Sequence, residues 1–164
     1  MCFIPDYKLH AWAVSGGVEP FEPETINPAS IDLRWSGRYR YWDINQWSSI
    51  INSSEISISP GRFYLLDTIE YLKVPSDWVG MLMLKSSMGR QGLEHLHAGY
   101  FDPGFQGTAT LELENRRGFG ADPIIITAYQ RIVQIAFSTM LDKPKVNYGI
   151  TGRYNGQNAP QVAK

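Results

Sequence analysis

A chain of 164 residues with 43% apolar and 19% charged side chains is long enough for one domain to bury its own core, and its formal net charge of −1 argues against wrapping along a nucleic-acid backbone. The single cysteine, Cys2, excludes an internal disulfide, and no apolar run approaches the ~18 residues that a membrane helix needs. The first residues, MCFIPDYKLHAWAV, lack the pattern of a signal peptide, so a soluble, cytoplasmic protein with no membrane partner is expected.

Taken in order, residues 5–15 predict a short helix, opened by Pro5-Asp6 and stopped by Gly16-Gly17. The Pro- and Gly-rich stretch that follows is expected to be irregular. Ile31, Leu33 and Trp35 alternate with Asp32 and Arg34, the pattern of a half-buried strand. Ser36-Gly37 reads as a turn and Arg38 to Trp42 as the return strand of a hairpin. The basic and aromatic residues of RWSGRYRYW would suit stacked bases and phosphates, but the patch is short and the chain is not basic, which favours an amphipathic hairpin with its tyrosines on the core. Residues 44–60 read as a polar loop. Strands are predicted at 62–74, 79–84, 108–113, 124–127 and 132–137. Beyond Met140 the hydrophobic pattern is lost, and 141–164 reads as a flexible segment. Many short strands between Gly/Pro turns, with one or two short helices, predict a single all-β domain over 1–164, a barrel or jelly roll.

Cations, hydroxyls, glycines and carboxylates are densest between Lys85 and Asn115. Leu111 and Leu113 should face the core, leaving Thr108, Thr110, Glu112 and Glu114 on the other face. Glu112 is then either one residue of a solvated face or a carboxylate lining a pocket, where it could serve as a general base. A helix starting at Ser86 or Ser87 would offer N–H groups and hydroxyls to a phosphate beside Lys85, with Arg90 one turn on; an ordinary N-cap explains the same residues. Asp102-Pro103-Gly104 is a turn signal that could aim Asp102 at a ligand hydroxyl. His95 and His97 have the spacing of a strand-borne metal pair, but no carboxylate follows at the cupin spacing. A zinc deaminase needs a Cys-x-x-Cys that this chain lacks.

Together, INPASIDLRW, KSSMGRQGL, HAGYFDPGFQGTATLELEN and YGITGRYNGQ resemble the dCTP deaminases, relatives of the trimeric dUTPases, from about Asn27 to Gln157. The resemblance implies a distorted β-barrel assembled as a homotrimer with active sites between subunits. It implies zinc-independent conversion of dCTP to dUTP and ammonia, with Mg2+ accompanying the triphosphate. The alternative within the family is a bifunctional enzyme that yields dUMP and pyrophosphate. A metal-binding jelly roll on His95 and His97 is the alternative outside it. By resemblance Glu112 is the catalytic base, and Ser86 and Arg90 organise its water and the base. Ala98, Thr110 and Leu111 meet the cytosine, and Asp102 meets the sugar. Lys85, Ser87, Tyr148, Arg153 and Gln157 take the triphosphate, the last three from a tail that closes as a lid. dUTP and an inhibitory dTTP are the further nucleotide ligands implied. His97 stands where the family commonly has Thr.

Overall fold

The computed structural model describes residues 2–96 and 98–163. The chain opens with α1 (Asp6–Trp12), which widens into a turn at 13–17, closed by Gly16. Strands β1 (Val18–Glu19), β2 (Ile26–Asn27), β3 (Ser30–Asp43), β4 (Gln46–Trp47), β5 (Ile51–Asn52) and β6 (Glu55–Ile58) follow. Then come β7 (Phe63–Lys73), β8 (Trp78–Leu84), α2 (Ser86–Gly89), β9 (Leu93–His95), β10 (Tyr100–Phe101) and β11 (Gln106–Asn115). The chain ends with β12 (Ile124–Thr127), β13 (Arg131–Thr139) and α3 (Tyr148–Thr151).

The main sheet runs β10-β8-β13-β3-β7-β11-β9 and curls on itself as a half-barrel, with β12 and β6 paired separately. The expected all-β fold with few short helices is what forms. Leu33, Trp35, Leu66, Leu111, Leu113 and Phe137 are among the fully buried side chains at its centre.

The hairpin expected at 31–42 is instead one continuous strand. Trp35 lies opposite Thr68 and Tyr39 opposite Leu66, so β3 takes four steps where β7 takes two. Gly37, at φ 91, absorbs the excess in a conformation that costs a side-chain-bearing residue energy. The result is a bulge that bends the strand without reversing it. The first half of β3 pairs with β13 and the second with β7, which is how the sheet curls.

The alternation of RWSGRYRYW is then a barrel feature. Tyr39 and Tyr41 each stack 6.4 Å from Tyr64. The arginines have protein partners: Arg34 Nε donates to Glu70 at 2.6 Å, Arg38 pairs with Asp67, and Arg40 Nη1 donates to the Ser48 carbonyl at 2.9 Å. Residues 44–60, expected as a loop, contain β4, β5 and β6. In β6 only Ile56 and Ile58 are buried, too short an alternation to stand out among the serines around it.

Of the segment 141–164, read from sequence as flexible, residues 155–157 and Gln161 lie along β11. Thr108 N donates to the Gln157 carbonyl at 2.9 Å and Gly156 N to the Gln106 carbonyl at 2.7 Å. This stretch takes the side of β11 that β9, paired with 113–115, leaves open near Gly107. Asn147 caps α3, its Oδ1 accepting from Gly149 N at 2.8 Å. Gly104 makes this docking possible, because a Cβ there would fall 1.9 Å from Asn147 Oδ1.

Candidate active site

β11 carries the site because its two faces differ chemically. Leu111 and Leu113 are wholly buried, while Thr110, Glu112 and Glu114 lie half-buried on the opposite face. Thr108 departs from the expected row and is buried, since the ladder shifts between Thr108 and Thr110. There β7 takes the extra residues, and Thr68 fills the gap by accepting the Ala109 N–H on its hydroxyl at 2.9 Å.

A cleft of about 320 Å3 opens in front of Glu112 and Thr110. It brings together six of the residues singled out from sequence: Glu112, Thr110, Ala98, Asp102, Tyr148 and Gln157. Asp102 is aimed by its turn, in which Phe105 N donates to the Asp102 carbonyl at 3.1 Å. Tyr148 is docked on the same turn, its N–H 3.3 Å from the Pro103 carbonyl. Gln157 is held by its Nε2, which donates to the Thr108 carbonyl at 2.7 Å.

Burial pushes the Glu112 carboxyl above the ordinary Glu range. Among the described residues no cation pairs with it, and the cleft around it is mostly apolar and aromatic. A carboxylate of raised basicity in a cleft is what proton abstraction requires.

The other singled-out residues lie elsewhere. Ser86, Ser87 and Arg90 are exposed on and after α2, outside this cleft. Lys85 forms an ion pair with Asp32. Leu111 sends its side chain into the core, so a ligand could meet only its backbone. Arg153 is exposed in the turn after α3. His95 is buried on β9 opposite Leu113, and His97 lies outside the described residues. Among the described residues no three His, Cys, Asp or Glu side chains cluster as metal ligands.

Sequence reasoning missed the aromatic side of the cleft. Trp47 and Phe63 line it near Glu112, and Tyr154 and Gln161 line it from the tail. Trp47 lies in the stretch read as loop, and nothing local marks it as part of a site. Phe63 could have been found, because the register of the two strongest strands sets it beside this face.

The curled β-sheet and its cleft are of the architecture shared by dCTP deaminases and dUTPases. The sequence profile of the family described as dCTP deaminase-like matches residues 6–140, and the chain belongs to that family. Over its whole length it is 36% identical to a "dCTP deaminase, dUMP-forming" of Methanosphaera stadtmanae, covering 94% of that protein. It is 33% identical to one of Corynebacterium glutamicum over 90% of this chain and 87% of the relative. The fold matches the crystal structure of a dCTP deaminase from Agrobacterium tumefaciens with a TM-score of 0.72 at 19% identity, covering 84% of this chain and 47% of that one. A dUTPase of the Staphylococcus aureus phage phi11, described with a structural Mg(II) ion, matches with a TM-score of 0.52 at 14% identity over 73% of this chain and 81% of that one.

These relatives correct one expectation. The leading reading from sequence ended at dUTP and ammonia, whereas both relatives are named for forming dUMP. That is the outcome of the bifunctional alternative. The residue pattern around Glu112 speaks only to the deamination step, so the sequence motifs left the second hydrolysis undecided.

Proposed function

We propose that this protein converts dCTP to dUMP, ammonia and pyrophosphate by two successive hydrolyses in one cleft. The observation that carries the reading is that two carboxylates, Glu112 and Asp102, line the same cleft along with Thr110, Tyr148 and Gln157.

In the first hydrolysis Glu112 takes a proton from a water that adds to C4 of cytosine. It then returns the proton to the exocyclic amine, which leaves as ammonia. Thr110 holds the base edge, and the backbone at Ala98 meets the same ring. The product of this step, dUTP, stays in place. In the second hydrolysis a water held by Asp102 adds to the α-phosphorus, the bond to the bridging oxygen breaks, and pyrophosphate leaves. Each step consumes one water, and retaining dUTP between them spares the second step a fresh encounter. Mg2+ enters as part of the substrate, carried on the triphosphate.

Ser86 and Arg90 act in this reading from a neighbouring subunit of a homotrimer. Their exposure on α2, away from their own chain's cleft, supports that arrangement, since a site lacking them is incomplete. Lys85 and Ser87 flank them, and Arg153 belongs to the tail that closes over the phosphates as a lid. dTTP, a pyrimidine triphosphate without a leaving amine, acts as a competitive inhibitor.

The test is incubation with dCTP and magnesium, following ammonia, pyrophosphate and the nucleotide product. Equal amounts of ammonia and pyrophosphate, with dUMP as the nucleotide, are expected. dUTP accumulating as the final product would sink the two-step reading.

A further inference from the structure

Among the described residues, two that lack a glycine's freedom have positive φ: Ile44, at 51°, and Tyr129, at 65°. A Cβ makes this conformation costly, most of all on a β-branched residue. Ile44 sits in the two-residue loop that closes the β3–β4 hairpin, between the paired Asp43 and Gln46, where Asn or Gly is the favoured choice. Tyr129 sits in the turn between β12 and β13, fixed by its N–H, which donates to the Trp35 carbonyl at 2.8 Å. The same two side chains are large, mostly apolar and exposed, Ile44 by 85% and Tyr129 by 60%. Each position thus combines a costly backbone with apolar surface left in water, a combination that points outward, to a partner.

Their places in the fold say which partner. Ile44 tips the hairpin whose base carries Trp47, a lining residue of the cleft. Tyr129 lies beside α2: the next residue, Gln130, reaches Met88 of α2, its Nε2 3.5 Å from the sulfur. β3 runs from the Trp35 carbonyl that holds Tyr129 to Asp43, next to Ile44, so roughly 20 Å of strand separates the two on one chain. They therefore belong to two different patches, one at the cleft and one at α2. Those are the two patches that meet when α2 of one chain completes the cleft of the next, a head-to-tail contact that repeats around a closed ring. We propose that Ile44 and Tyr129 are the apolar anchors of that contact, one on each of its two faces, and that the partner is a second copy of this chain. The inference rests on the reading in which Ser86 and Arg90 act from a neighbouring subunit, and it adds the side chains that hold the neighbour in place. A few such anchors carry most of the binding energy of an interface.

The test is sedimentation of the intact protein over a dilution series, with ammonia release from dCTP followed at the same concentrations. Ile44→Asn and Tyr129→Gly place at each position a residue that its backbone favours, so the fold is kept while the anchor is removed. Each should raise the concentration at which half the chains are assembled by about tenfold or more, with turnover per chain falling over the same range and returning as the protein is concentrated. Ile44→Leu and Tyr129→Phe, which keep the apolar side chain, should assemble as the wild type does. Wild-type assembly in both Ile44→Asn and Tyr129→Gly overturns the inference, as does a shift in only one of them. A wild type that stays monomeric at every concentration and still releases ammonia overturns it too. If the wild type assembles, both variants come apart and no ammonia is released, the interface stands and the deaminase reading falls.

Discussion

The backbone N–H of Gln161 donates to the hydroxyl of Thr110 at 3.3 Å, so the end of the chain touches the residue that lies beside Glu112 in the cleft. A hydroxyl that accepts one hydrogen bond still has its own proton to give. With Gln161 in place, Thr110 is biased towards donating into the cleft, and the N3 of cytosine is an acceptor. Pro160, buried just before it, anchors this contact. Removing residues 158–164 should therefore raise KM for dCTP by about tenfold, as loss of a positioned donor and of a water-excluding cover would. Steady-state kinetics on the truncated chain checks this, and an unchanged KM would show that the tail end has no part in the site.

Glu112 should separate the two hydrolyses. Glu112→Gln keeps the shape of the side chain and removes the base, so ammonia release from dCTP should fall by about 10^2- to 10^4-fold. Pyrophosphate release from added dUTP should survive largely intact, because Asp102 is unaltered. Parallel assays of the two products with dCTP and dUTP decide it; equal loss of both would mean that Glu112 serves the whole site.

The pH dependence of deamination has a definite sign. Burial holds the Glu112 carboxyl above its ordinary value, and the base is active only when ionised. The rate should rise with pH through a midpoint above the ordinary Glu value of 4.5, then level off. The same shift affects stability in the opposite sense: a carboxyl raised in the fold favours the folded state most at pH below its unfolded value, and that advantage is lost as pH rises through the folded value. A pH–rate profile of kcat/KM at saturating magnesium, compared with dUTP hydrolysis by Glu112→Gln, isolates the Glu112 limb.

Sharing of the site between subunits is testable by complementation. Glu112→Gln and Arg90→Ala should each be inactive alone. Mixed after unfolding and refolding together, they should recover activity in about one site in four, the fraction expected from random closed assembly. No recovery from a well-folded mixture would place both residues in one subunit's site.

Asp67 should matter for stability more than for chemistry. It is fully buried and held by Ser36 and Arg38, yet burial outweighs those partners and leaves its carboxyl above the ordinary range. Asp67→Ala would leave Arg38, whose side chain is 33% exposed, without its partner under the barrel wall. A loss of about 2–4 kcal/mol is expected, at the lower side of a broken buried pair because Arg38 reaches solvent. Chemical denaturation measures it, and a change below about 0.5 kcal/mol would place the pair with ordinary surface contacts.

Much of the fold was legible because its longest strands carry their own pattern. RFYLLDTIEYLKV and the leucines around Glu112 announced β7 and β11 and the face that bears the site. What escaped was set by partners far away in sequence. The bend at Gly37 looks locally like a hairpin turn, and only the match of Trp35 to Thr68 and Tyr39 to Leu66 makes it a bulge. β6 shows two buried isoleucines and is a strand only because β12 pairs with it. Trp47 joins the cleft through a short hairpin whose register no local signal fixes. Asp102, Tyr148 and Gln157 were recognisable as family positions, but their meeting with Glu112 depends on how the last residues dock.

Because β3 is hydrogen-bonded to β13 through its first half and to β7 through its second, neither side of the barrel can open while the other stays intact. Amide protons of Leu33 and of Tyr39 should thus exchange through the same global event, whereas those of 156–157, held at the border of β11, should exchange in a smaller, earlier opening. A frame of this kind stays a single cooperative body while its tail opens, so under the proposed function the tail would move as a cover without loosening the strands that hold Glu112.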